Sequence, residues 1–413
     1  MTTETAPHAP QPTLQHWFIV LFSFLALSLS FSARAALGLV MPVWQEELGW
    51  SSSFISGVGS GALVVMAFTA PISGRLVDRI GPRLALAMGL SLIAVGCSLI
   101  TVTESRAVFA FAFSGLCGVG FGIVATHVVS TAVARAFDTR QGLATGIATS
   151  GATGGQFLIV PLIATLLALA SWRWSFAGLA AACFVMVPLV LWFMSRSGVS
   201  AAPRAHPDGE AASLARDLRF VLTRPTFHAL FWSFLICGFT TTGVIETHLL
   251  PFAALCGFPP IPSATAYGLL SAVNLCGMIA AGWLTDRVNR PMLLASIYIL
   301  RAFSFLFLGY FVSADLTYLF LFAAFFGAVD YATVPVTASL TASHVGMHVM
   351  GLAMGLIAAG HAIGGAMGAF FGGYVFDSTG GYTLVWLSSF WIALGAGIMV
   401  IFLPKQSPRL AAA

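Results

Sequence analysis

Twelve apolar runs, each close to the length that crosses a lipid bilayer, leave this chain of 413 residues few ways to fold. They lie near 17–42, 54–74, 84–103, 106–134, 143–170, 173–195, 227–253, 264–284, 291–313, 316–341, 349–376 and 382–403, and form spans 1 to 12. A helix needs about 20 residues to cross the hydrocarbon core. Charged residues make up 8% of the chain and hydrophobic ones 58%, against about a quarter and a half in a soluble domain. No water-soluble fold could cover itself with so few charges. In lipid the backbone must satisfy its own polar groups, and continuous apolar runs do so as helices; the alternation of a membrane barrel is absent. The fold class expected is an all-α membrane protein with twelve transmembrane helices.

The spans divide six and six about a polar segment, and a motif repeats the division. Between spans 2 and 3 stands Gly74-Arg-Leu-Val-Asp-Arg-Ile-Gly-Pro-Arg83; 208 residues later, after span 8, stands Gly282-Trp-Leu-Thr-Asp-Arg-Val-Asn-Arg290. A charged turn copied half a chain later predicts a duplication, two pseudo-symmetric six-helix bundles around a shared pathway. The expected organisation is a tail at 1–16, a first bundle at 17–195, a linker at 196–226, a second bundle at 227–404 and a tail at 405–413. Within the linker, 210–222 reads as one surface helix. The first sixteen residues hold no Lys or Arg and so do not make a signal peptide.

Fourteen of the 18 Arg and Lys residues fall on the connections of one side; only Arg106 and Arg173 fall on the other, and Arg34 and Arg301 lie within spans. Positive residues concentrate on cytoplasmic loops, so both termini are expected in the cytoplasm. The net charge of +4 then reflects topology, and no nucleic-acid partner is expected. Six cysteines sit in or beside apolar spans without metal-ligand spacing and read as small buried residues. The glycine runs at 115–122 and 360–368 lack the strand and turn of a nucleotide fingerprint and read as helix contacts. No metal or cofactor is expected, and a monomer suffices.

Gly74, Asp78, Arg79, Gly81 and Arg83 fit the loop signature between spans 2 and 3 of the major facilitator superfamily, and Gly282, Asp286, Arg287 and Arg290 fit its second copy. With twelve spans and a central linker, nearly the whole chain resembles that family. A narrower set is similar to the monocarboxylate-porter branch and its bacterial relatives: Arg34-Ala-Ala-Leu-Gly-Leu-Val-Met-Pro42 leading to Glu47-Leu-Gly-Trp50, His248-Leu-Leu-Pro251, and Asp377-Ser-Thr-Gly-Gly-Tyr382. The resemblance implies a secondary transporter of small carboxylates, often with a proton, in a bacterial inner membrane. It also implies that the loop residues latch the cytoplasmic side. Two departures stand out. Span 5 lacks the proline-rich motif of exporter branches, and span 8 lacks the Asp/Arg pair of the mammalian branch members.

An ionisable side chain within a span is costly unless it faces a cavity or a partner. Seven remain here: Arg34, His127, Glu246, His248, Arg301, Asp330 and His361. Five lie on spans 1, 4, 7 and 10, which the resemblance assigns to the central cavity. At about 1.5 Å per residue, Arg34 and Glu246 both sit about 25–29 Å from the cytoplasmic ends of spans 1 and 7. Arg301 and Asp330 both sit at about 15–17 Å, on sequential antiparallel helices. Arginine stays charged and forks onto two carboxylate oxygens, which makes Arg34 and Arg301 candidate anion ligands. His248, Tyr331 and Asn274 are candidates to complete the substrate site, with Tyr267 and Gln156 as further hydrogen-bond partners of a ligand; Glu246, Asp330, His127 and His361 are candidates to carry the proton. Each has a structural alternative: a snorkelling arginine, a buried ion pair between Arg301 and Asp330, or polar residues that join helices. His248 lies roughly 200° around its helix from Glu246, so the two cannot serve one spot.

The functional expectation is proton symport of a small organic anion, a monocarboxylate above others. Its rival is a proton-coupled exporter of drugs or metabolites, and a transporter-like sensor stands further back. No nucleophile–base constellation speaks for an enzyme, and no ring of like charges for a channel.

Overall fold

The computed structural model describes residues 13–195 and 213–404. Twelve of its helical stretches are long and apolar enough to cross a membrane. In the first half they are Leu14–Leu48, Phe54–Ile80, Pro82–Val102, Arg106–Ala136, Gln141–Leu167 and Trp172–Phe193. In the second they are Pro225–Leu255, Ile261–Thr285, Arg290–Ala314, Leu316–His344, Met350–Thr379 and Thr383–Ile401. No strand occurs among the described residues.

Several boundaries differ from expectation: spans 1 and 2 run on to Leu48 and Ile80, so that Gly74, Asp78 and Arg79 lie on the last turns of span 2. Span 1 begins at Leu14, inside the expected tail, because Thr13 and the His16 ring close a capping box 2.7 Å across. The linker helix covers Leu214–Leu222, while 1–12, 196–212 and 405–413 lie outside the described residues. That helix buries Asp217 and Val221, one turn apart, half-buries Leu218 and Phe220 and exposes the rest.

Each half has its own interior. One continuous apolar cluster uses only residues of spans 1 to 6, and two others use spans 7 to 12 and the linker helix, with Ala134 the single crossover. Far from the linker, Trp44 is fully buried against Trp50, Phe109, Trp172 and Phe176. The two halves thus have separate cores with little shared between them.

The repeated loops differ at one instructive point. Gly81 turns the chain with φ +83°, a conformation that favours glycine, before Pro82 opens span 3. Its counterpart Asn289 has φ −64° and instead caps span 9 by accepting from the Met292 N–H at 3.3 Å. The two copies open the following helix from different backbone conformations.

Candidate functional site

Between the halves lies a partly open cavity, with about 520 Å³ of space between its walls when the open side is counted. Its polar walls come from five spans. Arg34 and Phe31 extend from span 1, Thr153 and Gln156 from span 5, and Glu246 from span 7. Tyr267, Ser271 and Asn274 come from span 8, and Asp330 and Tyr331 from span 10. Helical periodicity accounts for the set: Phe31 and Arg34, Thr153 and Gln156, and Tyr267, Ser271 and Asn274 recur at three or four residues and share faces. Phe31, Thr153 and Ser271 were not among the sequence candidates, and this one-turn spacing is the signal that would have found them.

Arg34 is the cavity's cation. It is half-buried, with its guanidinium carbon 4.3 Å from the Phe31 ring centre and Nη1 4.0 Å from Met66 Sδ. No ion pair joins it to a carboxylate among the described residues. The second half supplies the anions. Glu246 is exposed to the cavity, and Tyr331 Oη donates to its Oε1 at 2.8 Å. Asp330 is only 3% exposed; its Oδ2 accepts from Asn274 Nδ2 at 3.1 Å and its Oδ1 has no protein donor. A buried carboxylate with one oxygen unmet is costly as an anion, and that cost is relieved by a proton or by a ligand that donates.

The backbone is broken where these acids sit. Span 10 is helical over Leu316–Val329, leaves the helix at Asp330, Tyr331 and Ala332, and resumes over Thr333–His344. Asn274 Oδ1 accepts the Tyr331 N–H at 3.1 Å, so one amide holds Asp330 and Tyr331, two of the three residues of the break. Span 4 is broken as well, at Val124 and Ala125, where Ser30 Oγ donates to the Val124 carbonyl at 3.0 Å. In span 7 a π-turn, Phe239–Ile245, immediately precedes Glu246 and re-aims the helix that carries it. Interrupted helices at corresponding positions of two repeats mark binding sites in transporters.

Arg301 stands elsewhere than its depth suggested. It is fully buried behind the cavity wall and contributes nothing to the lining. Its Nη2 donates to the Val329 carbonyl at 2.8 Å and to the Asp330 carbonyl, and its Nη1 lies 2.9 Å from Cys237 Sγ of span 7. The expected Arg301–Asp330 ion pair is therefore replaced by a guanidinium on the backbone of the break, because the Asp330 carboxylate turns toward Asn274. Arg301 ties span 9 to the two helices that carry the acids. Arg301→Leu leaves two buried carbonyls without donors and is expected to cost about 3 kcal/mol, read as a lower unfolding temperature in detergent. Arg301→Lys is expected to rescue little, since one ammonium cannot reach both carbonyls and the thiol. Unchanged stability in both would show that the break holds without the guanidinium.

The histidines also lie off the cavity. His248 is buried in the second half, its Nε2 3.0 Å from the Ala369 carbonyl and its Nδ1 3.4 Å from Tyr382 Oη. It faces away from Glu246, as their two-residue spacing requires. His127 is buried with Nε2 2.9 Å from Ser73 Oγ, joining span 4 to span 2. His361 packs against Phe234, 5.0 Å between ring centres, and lies 6.4 Å from the Tyr331 ring. None of the three lines the cavity; each packs against a neighbouring helix.

At the Arg-rich end the two halves are clamped twice, and the clamps mirror one another. The Asp78 carboxylate accepts from the N–H groups of Gly351 and Leu352, at 3.0 and 2.8 Å, where span 11 begins. The Asp286 carboxylate accepts from Gly142 and Leu143, at 2.7 and 2.9 Å, where span 5 begins. Each acid sits on the positive end of a helix from the opposite half. Arg135 Nη2 holds Asp78 Oδ1 at 2.6 Å, and its Nη1 holds the Val77 carbonyl at 2.8 Å. Gly74 against Gly351, and Gly282 against Gly142, bring backbones so close that a Cβ on any of the four would overlap the facing carbonyl. Arg287 stacks on Trp283 at 4.0 Å, Arg79 is exposed on the last turn of span 2, and Arg83 and Arg290 form no ion pair among the described residues. The helix-capping partners lay beyond sequence reasoning, because each stands in the other half of the chain.

Known proteins with this pattern agree with one another. The profile of the Major Facilitator Superfamily matches residues 23–346 and 277–412. An uncharacterized MFS-type transporter of Bacillus subtilis, YcxA, is 26% identical over 95% of this chain and 97% of its own length. Monocarboxylate transporter 13 of Bos taurus is 24% identical over 67% of this chain and 63% of its own length. Among solved structures, the proton:xylose symporter XylE superposes with a TM-score of 0.75 at 15% identity, covering 95% of this chain and 97% of that one. The human organic anion transporter MFSD10 does so with 0.70 at 18% identity, covering 94% and 100%. With its twelve spans, its repeated clamps and a cavity between its halves, the chain belongs to the major facilitator superfamily of membrane transporters.

Proposed function

We propose that this transporter moves a small organic carboxylate together with a proton, by alternating access, in a membrane whose cytoplasmic face is the Arg-rich one. The observation that carries the reading is the separation of charge across the cavity. A lone guanidinium stands on the first half and two carboxylates on the second, one of them buried with an oxygen unmet. An arginine that no protein carboxylate neutralises is suited to a carboxylate ligand. Its cation–π contact with Phe31 holds it in place without cancelling its charge.

The acids give the proton a place to ride. Loading a carboxylate on Arg34, beside Glu246 and Asp330, adds negative charge to a low-dielectric site, and protonating one acid removes it. The paired clamps describe the state in which the cytoplasmic end is shut. Similarity to a monocarboxylate transporter supports the substrate class, and the organic anion transporter and the proton:xylose symporter share the fold.

The test is uptake of labelled lactate, pyruvate and larger aliphatic and aromatic carboxylates into proteoliposomes, with and without an inward proton gradient. Gradient-stimulated uptake of at least one carboxylate is expected. Absence of any carboxylate flux by folded protein would overturn the reading and favour exported cations or neutral solutes.

A further inference from the structure

We infer that the preferred substrate is amphoteric: a carboxylate that also carries a proton-donating nitrogen, as an amino acid does, with Glu246 as the residue that reads the donor. The inference rests on the proposed carboxylate reading of the same cavity and sharpens it.

Three observations meet here. The cavity holds more anion than cation, two carboxylates against one guanidinium. A ligand that was anionic alone would satisfy Arg34 and then set its remaining surface beside both acids. Second, the acids are placed differently. Glu246 is exposed to the cavity and the Tyr331 hydroxyl engages only its Oε1, so Oε2 stays open to a ligand donor. Asp330 is 3% exposed, held by Asn274 through Oδ2, with Oδ1 carrying no partner. Two carboxylates in unlike surroundings take unlike tasks. The exposed one meets the substrate, and the buried one takes the coupling proton. Third, Tyr331 ties the donor-reading acid to the broken turn of span 10, because its N–H is held by Asn274 while its hydroxyl holds Glu246. Occupying Glu246 thus pulls on the same amide that holds Asp330.

Arg34 and Glu246 lie on spans 1 and 7, one in each half. A ligand with an anionic end and a donating end bridges them, and a ligand with only one end does not. That requirement is a selection rule, since a site that presents an unpaired carboxylate rejects analogues that lack the donor.

The experiment uses the full chain in proteoliposomes and a matched set on one carbon skeleton: 3-phenylpropionate, its 2-hydroxy counterpart and its 2-amino counterpart, with 2-phenylethylamine as the amine alone. Each competes for uptake of a transported carboxylate. The amino carboxylate is expected to compete at least about tenfold better than the plain carboxylate, the size of one charge-assisted hydrogen bond. Glu246→Gln is expected to bring the two within about twofold of one another. Because the wild-type comparison stands alone, a variant that fails to fold does not decide the matter. Equal or better competition by the plain carboxylate overturns the inference and leaves the carboxylate reading standing. Competition by the amine alone, with none by any carboxylate, overturns both.

Discussion

Arg34→Gln is expected to reduce carboxylate uptake at least about 30-fold, the effect of removing one partner of a desolvated charge pair. The loss should fall on transport and not on folding. Arg34 is half-buried and reaches only a thioether and an aromatic face, so its removal orphans no protein acid. Arg34→Lys keeps the charge without the two-pronged geometry and should lie between wild type and Gln. If Arg34→Gln transports carboxylates at the wild-type rate, the anion is held elsewhere and the assignment of the cavity fails.

Gly74→Val should be as damaging by a different route. Its Cβ would overlap the Gly351 carbonyl, just as a Cβ on Gly351 would overlap the carbonyl of Gly74. The clash exists only where spans 2 and 11 touch, in the state with the Arg-rich end shut. Overpacking at such a contact costs about 3 kcal/mol, which shifts the ratio of shut to open protein about 100-fold. Transport should collapse in proportion, while a ligand that reaches the cavity from the Arg-rich side gains access. Gly142→Val tests the mirror clamp against Gly282 and should act the same way. Accessibility of a cysteine placed in the cavity, probed from each side of the membrane, separates this outcome from misfolding. Wild-type transport in both variants would show that the shut state needs no such close approach.

Depth was legible in the sequence and rotation was not. A fixed rise per residue is enough to put Arg34, Glu246 and Asp330 well inside the bilayer, and the structure brings all three to one cavity. The same reasoning gave Arg301 a comparable depth to Asp330, yet its side chain leaves span 9 toward the back of the wall, where it caps the break in span 10. No glycine or proline stands at Asp330, Tyr331 or Ala332 to announce that break. Its one local signal is Pro335, which offers no N–H to the Tyr331 carbonyl one turn back; the geometry itself is held by tertiary partners, Arg301 and Asn274. The histidines show the same limit: His248, His127 and His361 sit on the expected helices and face neighbouring helices instead of the cavity.

The duplicated loop was legible as a repeat, whereas its targets were not. Asp78 and Asp286 are matched in sequence, but the helix N-termini they cap, at Gly351 and Gly142, carry no motif of their own. What those positions share is a backbone N–H pointing at an acid and no side chain in the way. Glycine at 142 and 351 reads as ordinary packing until both halves are in view.

The measurement that most directly tests the account is proton and carboxylate movement in one preparation. Proteoliposomes hold a pH-sensitive dye inside, the membrane potential is clamped, no proton gradient is imposed, and labelled carboxylate is added outside. The account predicts that the interior acidifies as the carboxylate enters, beyond the drift of protein-free vesicles, and that Arg34→Gln and Asp330→Asn abolish the difference. Carboxylate entry with no acidification beyond that drift would contradict it.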